Sequence, residues 1–139
     1  MKVRHRARIA VLQALFEIDC SNHKPFQVLE LRLLELDLPE AGAEFARDLF
    51  DTVLRHRSEI DALIARYAPE WPVDQIAVID RNILRIAIAE ILYHPDTPIK
   101  VAINEAVELG KQFGSDSSSR FVNGVLGSLV AKERPRIGR

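Results

Sequence analysis

Apolar residues recur at intervals of three and four along almost the whole sequence, and no convincing run alternates with period two. Spacing of that kind puts an apolar stripe on one side of a helix, whereas a half-buried strand needs strict alternation. No Asn-Gly hairpin joins two strand-like runs. A chain of 139 residues with this pattern is expected to fold as one all-α domain spanning residues 1–139. No repeat at a solenoid period is visible.

Helix-breaking residues divide the chain. A first helix is expected from about Arg4 to Asp19, stopping at "CSNHKP", and a second from about Phe26 to Leu36, before "DLPEAG". A third runs from Pro39 or Glu40 to about Arg57, and Ser58 with Asp61 has the form of a capping box for the fourth. Pro69 and Pro72, flanking Glu70–Trp71, forbid continuation past "YAPEWP". Helical spacing resumes from Val73 to Tyr93, with a break near Asp80 left open. After "HPDTP", Thr97 is placed to cap and Pro98 to open a helix that reaches about Gln112 and stops at Gly114. One side chain of "SDSSS" should cap a last helix ending near Lys132, before Pro135. The total is about seven helices in a bundle, with residues 1–3 and 134–139 as flexible basic ends.

The net charge of −1 hides an asymmetry. Residues 1–8 hold Lys2, Arg4, Arg6 and Arg8 and no acid, and residues 132–139 carry +3, so the body between them carries −8. Basic ends suit a polyanion and an acidic body suits a basic partner, although solvated, frayed ends explain the charge alone equally well. No apolar run approaches the ~20 residues of a membrane span, and no apolar stretch with a cleavage site follows the basic start. The single cysteine, Cys20, rules out an internal disulfide framework and fits a reducing, cytoplasmic setting.

Signs of catalysis are missing. The four histidines are scattered, Cys20 and His23 have no second pair to complete a metal site, and neither a phosphate-cradling loop nor a nucleophile elbow occurs. Glu105 and Glu108 share a helix face without a Glu-x-x-His motif, and with Lys111 they read as a solvated ion-pair stripe. Neither an enzyme nor a cofactor is expected.

Two surfaces stand out. In the first helix Ala7, Val11, Ala14, Leu15 and Ile18 make one apolar face and Ile9, Leu12 and Phe16 a second, so this helix is expected to be central. Arg4, Arg6 and Arg8 cannot be buried unpaired, which predicts that its first turns emerge and display arginines suited to phosphate. In the last helix Phe121, Val122, Val125, Leu126 and Leu129 face the core, and Arg120, Asn123, Gly124 and Gly127 lie opposite. Each helical glycine costs roughly 1 kcal/mol relative to alanine. Two of them either accommodate a close helix crossing or open a surface to a ligand, and spacing alone leans slightly to the crossing. Phe121 sits on the border, in the core or half exposed for stacking.

Four ordered blocks, "RHRARIAVLQALFEID" (4–19), "DRNILRIAIAEIL" (80–92), "PIKVAINEAVELGKQFG" (98–114) and "SRFVNGVLG" (119–127), resemble the NusB family of bacterial transcription antitermination factors. The likeness covers essentially the whole chain. The related domain fused to RNA cytosine methyltransferases would need a catalytic domain after it, which is not expected here. The resemblance implies two helical halves and binding in place of catalysis. Such proteins pair with NusE, a small-subunit ribosomal protein, recognise boxA RNA of nascent ribosomal transcripts, and recruit other Nus factors to RNA polymerase. It implies an RNA surface of Arg4, Arg6 and Arg8 with Lys111, Gln112, Ser117, Arg120, Phe121 and Asn123. It implies a NusE-facing surface at Asp80, with Tyr67 and Glu90 as weaker matches.

The family includes monomers and homodimers, and the oligomeric state is left open. Several positions depart from its pattern. Phe16 replaces a common tyrosine, Gly110 an alanine and Gly127 an acidic residue, while Asp116 should repel RNA near a helix N-terminus. RNA affinity without NusE is therefore expected to be modest. The rival readings are a helical protein adaptor that does not touch RNA and, further off, a regulatory enzyme.

Overall fold

The computed structural model describes residues 2–139. Their order is α1 (Val3–Asp19), α2 (Pro25–Leu36), α3 (Glu40–Arg55), α4 (Arg57–Tyr67), a 3-10 turn (Val73–Gln75), α5 (Val78–Tyr93), α6 (Ile99–Phe113), α7 (Ser118–Lys132) and the short α8 (Arg134–Ile137). The protein is all-helical among the described residues, with one helix more than the periodicity indicated.

Proline and polar residues set most boundaries as expected. Pro25 opens α2, where a missing N–H costs nothing. That helix ends on Asp37, whose left-handed backbone (φ 50°) turns the chain. Three expected caps are not used. The α3–α4 boundary falls at His56 with no side-chain cap, and Asp61 instead forms a two-pronged ion pair with Arg85, at 2.8 and 2.9 Å. The Thr97 hydroxyl is buried without a partner, and Pro98 occupies the cap position of α6. Before α7, the Ser118 hydroxyl accepts the Ser115 N–H at 2.8 Å, tying the turn together without capping the helix.

Helix α1 is central, as its two apolar sides require: Ala7 through Leu12, Ala14 and Leu15 are buried. It packs on α2 and α3 to form one half, while α4, α6 and α7 gather around α5 to form the other. The halves meet where α1 and α3 cross α5, which is buried at Asp80 and from Asn82 to Ile91. Two polar networks lock that crossing. At the end of α1, the shielded Asp19 carboxylate accepts from Arg57, Asn82, Arg81 and Arg85 at 2.9 to 3.3 Å. At its start, Arg8 binds Glu90 and Glu105.

The basic C-terminal end is folded. Arg136 pairs with Glu59, and Arg139 donates to the carbonyls of Glu90, Ile91, Pro95 and Thr97. Residues 134–139, expected as a flexible end, hold a short helix and a basic clamp in this structure, set where the last carbonyls of α5 lack intrahelical donors. Of the expected flexible start, Lys2 precedes α1, Val3 is its first residue, and Met1 lies outside the described residues. No described helix is long and apolar enough to cross a membrane.

Candidate RNA and partner interface

The three N-terminal arginines have three different fates. Arg4 is exposed, with its guanidinium 4.6 Å from the Phe45 ring centre on α3. Arg6 is partly exposed and donates to the Leu36 carbonyl at the end of α2. Arg8 is only 3 % exposed. Its Nε and Nη2 meet the two oxygens of Glu90 at 2.7 and 2.8 Å, and its Nη1 meets Glu105 at 3.1 Å. The expectation that all three arginines are displayed is corrected for Arg8, since a buried guanidinium is tolerable once carboxylates neutralise it. The same pair corrects Glu90, which is 1 % exposed and so has no surface to offer a protein partner.

His5 was not singled out by the sequence. Its Nδ1 lies 3.0 Å from Glu105 Oε1 and its Nε2 3.3 Å from Gln112 Oε1. These contacts bring the start of α1 to the end of α6, where Lys111 and Gln112 are exposed. Lys111 also reaches Glu108 at 3.5 Å, as the expected solvated stripe requires, whereas Glu105 departs from that stripe to bind Arg8 and His5.

The turn from α6 to α7 is tight because glycine permits it. A Cβ on Gly110 would lie 3.1 Å from the Ser119 backbone, and one on Gly114 would overlap the Ser118 side chain. That close approach fixes α7 so that Ser117, Arg120 and Asn123 point to solvent. Gly124 and Gly127 have open space where a Cβ would stand. Neither serves a helix crossing within this chain, so the packing explanation for them fails and the open surface stands.

Phe121 is half-buried, packed against the core yet bordering two clefts of about 350 Å³ each. One cleft is shared with Ser117 and Asp80, the other with Tyr67, Arg120 and Gly124. Asp80 is 8 % exposed, and its Oδ1 is buried without a partner, an acceptor still to be satisfied. The Tyr67 hydroxyl is already engaged by Glu133, whose hydrogen bond raises the phenol's pKa. Hence Asp80 keeps an unused acceptor, while Tyr67 belongs to the same cleft region as Arg120. Beside Asp80, the exposed Phe16 with Ile79 and Phe113 lines an apolar hollow. Among the described residues no cluster of three or more His, Cys, Asp or Glu side chains is arranged to hold a metal.

The model of the NusB family matches residues 5–131. The chain belongs to the NusB family. It is 50% identical over 136 residues to the transcription antitermination protein NusB of Roseiflexus castenholzii, covering 96% of each chain. It is 53% identical over 131 residues to that of Chloroflexus aggregans, covering 93% of this chain and 87% of the relative. Among solved structures, NusB of T. maritima superposes with a TM-score of 0.87 at 38% identity, covering 93% of this chain and 91% of that one. A NusB chain from a complex of the antitermination factors NusB and NusE with dsRNA gives 0.86 at 26% identity, covering 94% and 98%. The NusB-like, all-α architecture implied by the four sequence blocks is therefore the architecture found.

Proposed function

We propose that this NusB-family chain is a transcription antitermination factor. It binds boxA RNA of nascent ribosomal transcripts together with NusE and helps to assemble Nus factors on RNA polymerase. Its role is binding, with no catalysis and no cofactor. The observation that carries the reading is the surface of α7, where a half-exposed Phe121 ring borders open clefts beside Arg120, Ser117 and Asn123. Single-stranded RNA is recognised by stacking unpaired bases on aromatic rings and hydrogen-bonding their edges. Here Phe121 stacks, Asn123 and Ser117 supply edge contacts, and Arg120, Lys111, the exposed Arg4 and the partly exposed Arg6 meet phosphates. Asp80, which lines the clefts beside Phe121 and Phe16, and the neighbouring Phe16 hollow offer a basic ribosomal protein a carboxylate and an apolar seat. The resemblance to a chain from a complex of NusB and NusE with dsRNA supports NusE and RNA as partners, while the single-stranded boxA mode rests on the α7 surface.

The test is binding of a boxA-like RNA and a scrambled control, with and without NusE, at two salt concentrations. Preference for boxA, strengthened by NusE and weakened by salt, is expected. Equal affinity for both RNAs would remove sequence recognition. No RNA binding even with NusE would leave a protein-only adaptor.

A further inference from the structure

We infer that Trp71 forms a second nucleobase platform beside Phe121 and extends the RNA site onto the linker between α4 and α5; this rests on the RNA-binding reading above. Pro69 and Pro72 stiffen this linker, and Trp71 between them is 55% exposed. An indole is among the largest apolar surfaces a chain can bury, so one left this open contributes little to the core. Trp71 and Phe121 are the two residues common to both clefts, one running towards Ser117, Gln75 and Asp80, the other towards Arg120, Gly124 and Ser128. The missing side chain at Gly124 leaves space beside the rings for another planar group.

Arg120 decides the kind of occupant. Every other arginine among the described residues has a carboxylate, carbonyl or aromatic partner within the protein. Arg120 has none, in a chain that otherwise pairs its guanidinium groups almost without exception. Two aromatic rings beside an unpaired guanidinium match a base attached to a phosphate. An extended peptide is a poorer fit, because the helical wall of α7 has no free backbone edge to pair with. The clefts are also continuous with the surface of Ser117, Phe121 and Asn123 that meets RNA in the proposed function.

Trp71 is the single tryptophan of the chain, so its fluorescence reports on this site directly. The experiment titrates the full chain with NusE and a single-stranded boxA-like RNA, following anisotropy of labelled RNA and, in parallel, tryptophan emission against a NusE–RNA blank. Quenching of Trp71 that saturates with the anisotropy is expected. Trp71→Ala should weaken RNA binding roughly tenfold and Trp71→Phe by much less, as base stacking on an aromatic ring requires. Thermal melts of both variants check the fold, and if Trp71→Ala unfolds, quenching of the unmodified chain and the affinity of Trp71→Phe decide. RNA binding with Trp71 emission unchanged, or with unaltered affinity in a folded Trp71→Ala, overturns the platform while sparing the RNA-binding function. No anisotropy change with any RNA overturns both.

Discussion

Arg8 and Glu90 hold each other by two parallel hydrogen bonds of 2.7 and 2.8 Å, with both side chains shielded from water. The pair connects α1 to α5, and Glu105 connects it onward to α6. Burial opposes the Arg8 charge, but the hydrogen bonds and fields of Glu90 and Glu105 outweigh it and keep the guanidinium firmly protonated. Removing Arg8 leaves Glu90 as a lone buried charge, and removing Glu90 leaves Arg8 with only the less buried Glu105; breaking a buried pair in this way typically costs about 3–5 kcal/mol. Glu90→Ala and Arg8→Met are therefore both expected to lower stability by that order in urea denaturation. The double variant Arg8→Met, Glu90→Leu should recover most of the loss. Strict additivity of the two single effects would show that the pair is not coupled.

The same burial separates Arg8 from RNA. In a boxA titration over several salt concentrations, Arg120→Gln should flatten the dependence of log affinity on log salt by about 0.7, one single-strand phosphate contact. Arg8→Met, where it remains folded, should leave that slope unchanged. A slope altered by Arg8 and indifferent to Arg120 would reverse the assignment.

These arginines show how far the sequence is legible. Arg8 stands three, four and seven residues before Val11, Leu12 and Leu15, inside an apolar stripe, and Glu90 stands in the same way after Ile83, Ile86 and Ala87. Opposite charges at apolar positions on two helices mark an internal pair. Only the fold, however, brings together residues 82 apart. The faces of α1 and α7 were readable because helical period alone sets them. Asp61 was misread as a cap because its partner Arg85 lies on another helix. The Trp71 cleft was hidden because a residue between two prolines has no period from which to infer a face.

Glycine substitutions should have opposite signs at two helical sites. At Gly124 a Cβ meets nothing within 4 Å, so Gly124→Ala is expected to stabilise the free protein by about 0.5–1 kcal/mol. At Gly110 the Cβ would press to 3.1 Å against the Ser119 backbone, where no flexible side chain can yield. Gly110→Ala should therefore destabilise despite alanine's better helix propensity. Thermal melts of the two variants read both signs, and a stabilising Gly110→Ala would show that α6 and α7 separate easily.

Acid should loosen the other end of α1. Burial pushes the Asp19 carboxyl up, but the Asn82 amide and the guanidinium groups of Arg85, Arg57 and Arg81 outweigh it and hold it below the usual range. A carboxyl depressed in the folded state binds its proton more readily when unfolded. Its contribution is thus complete above the unfolded value near pH 4 and is lost as pH falls through the folded value. Asp19→Asn should lower stability at neutral pH and flatten the fall in stability below about pH 4. An acid limb of unchanged steepness would exclude Asp19 as a contributor.

The Arg139 guanidinium places Nη1 2.8 and 2.6 Å from the carbonyls of Pro95 and Thr97 and Nη2 3.0 Å from that of Ile91. It supplies donors and positive charge where α5 ends and its last carbonyls have no intrahelical partners. Arg139→Ala removes all of these contacts at once and should cost about 1–2 kcal/mol. In a chain of this length that corresponds to a fall in melting temperature of roughly 3–6 °C. The loss should be local as well as global, with faster hydrogen exchange in the turn from His94 to Thr97 before exchange rises elsewhere. Arg139→Lys keeps the charge but not the fork, so it should recover only part of the difference. A melt and an exchange pattern unmoved by Arg139→Ala would mean that this basic end rests on α5 without supporting it.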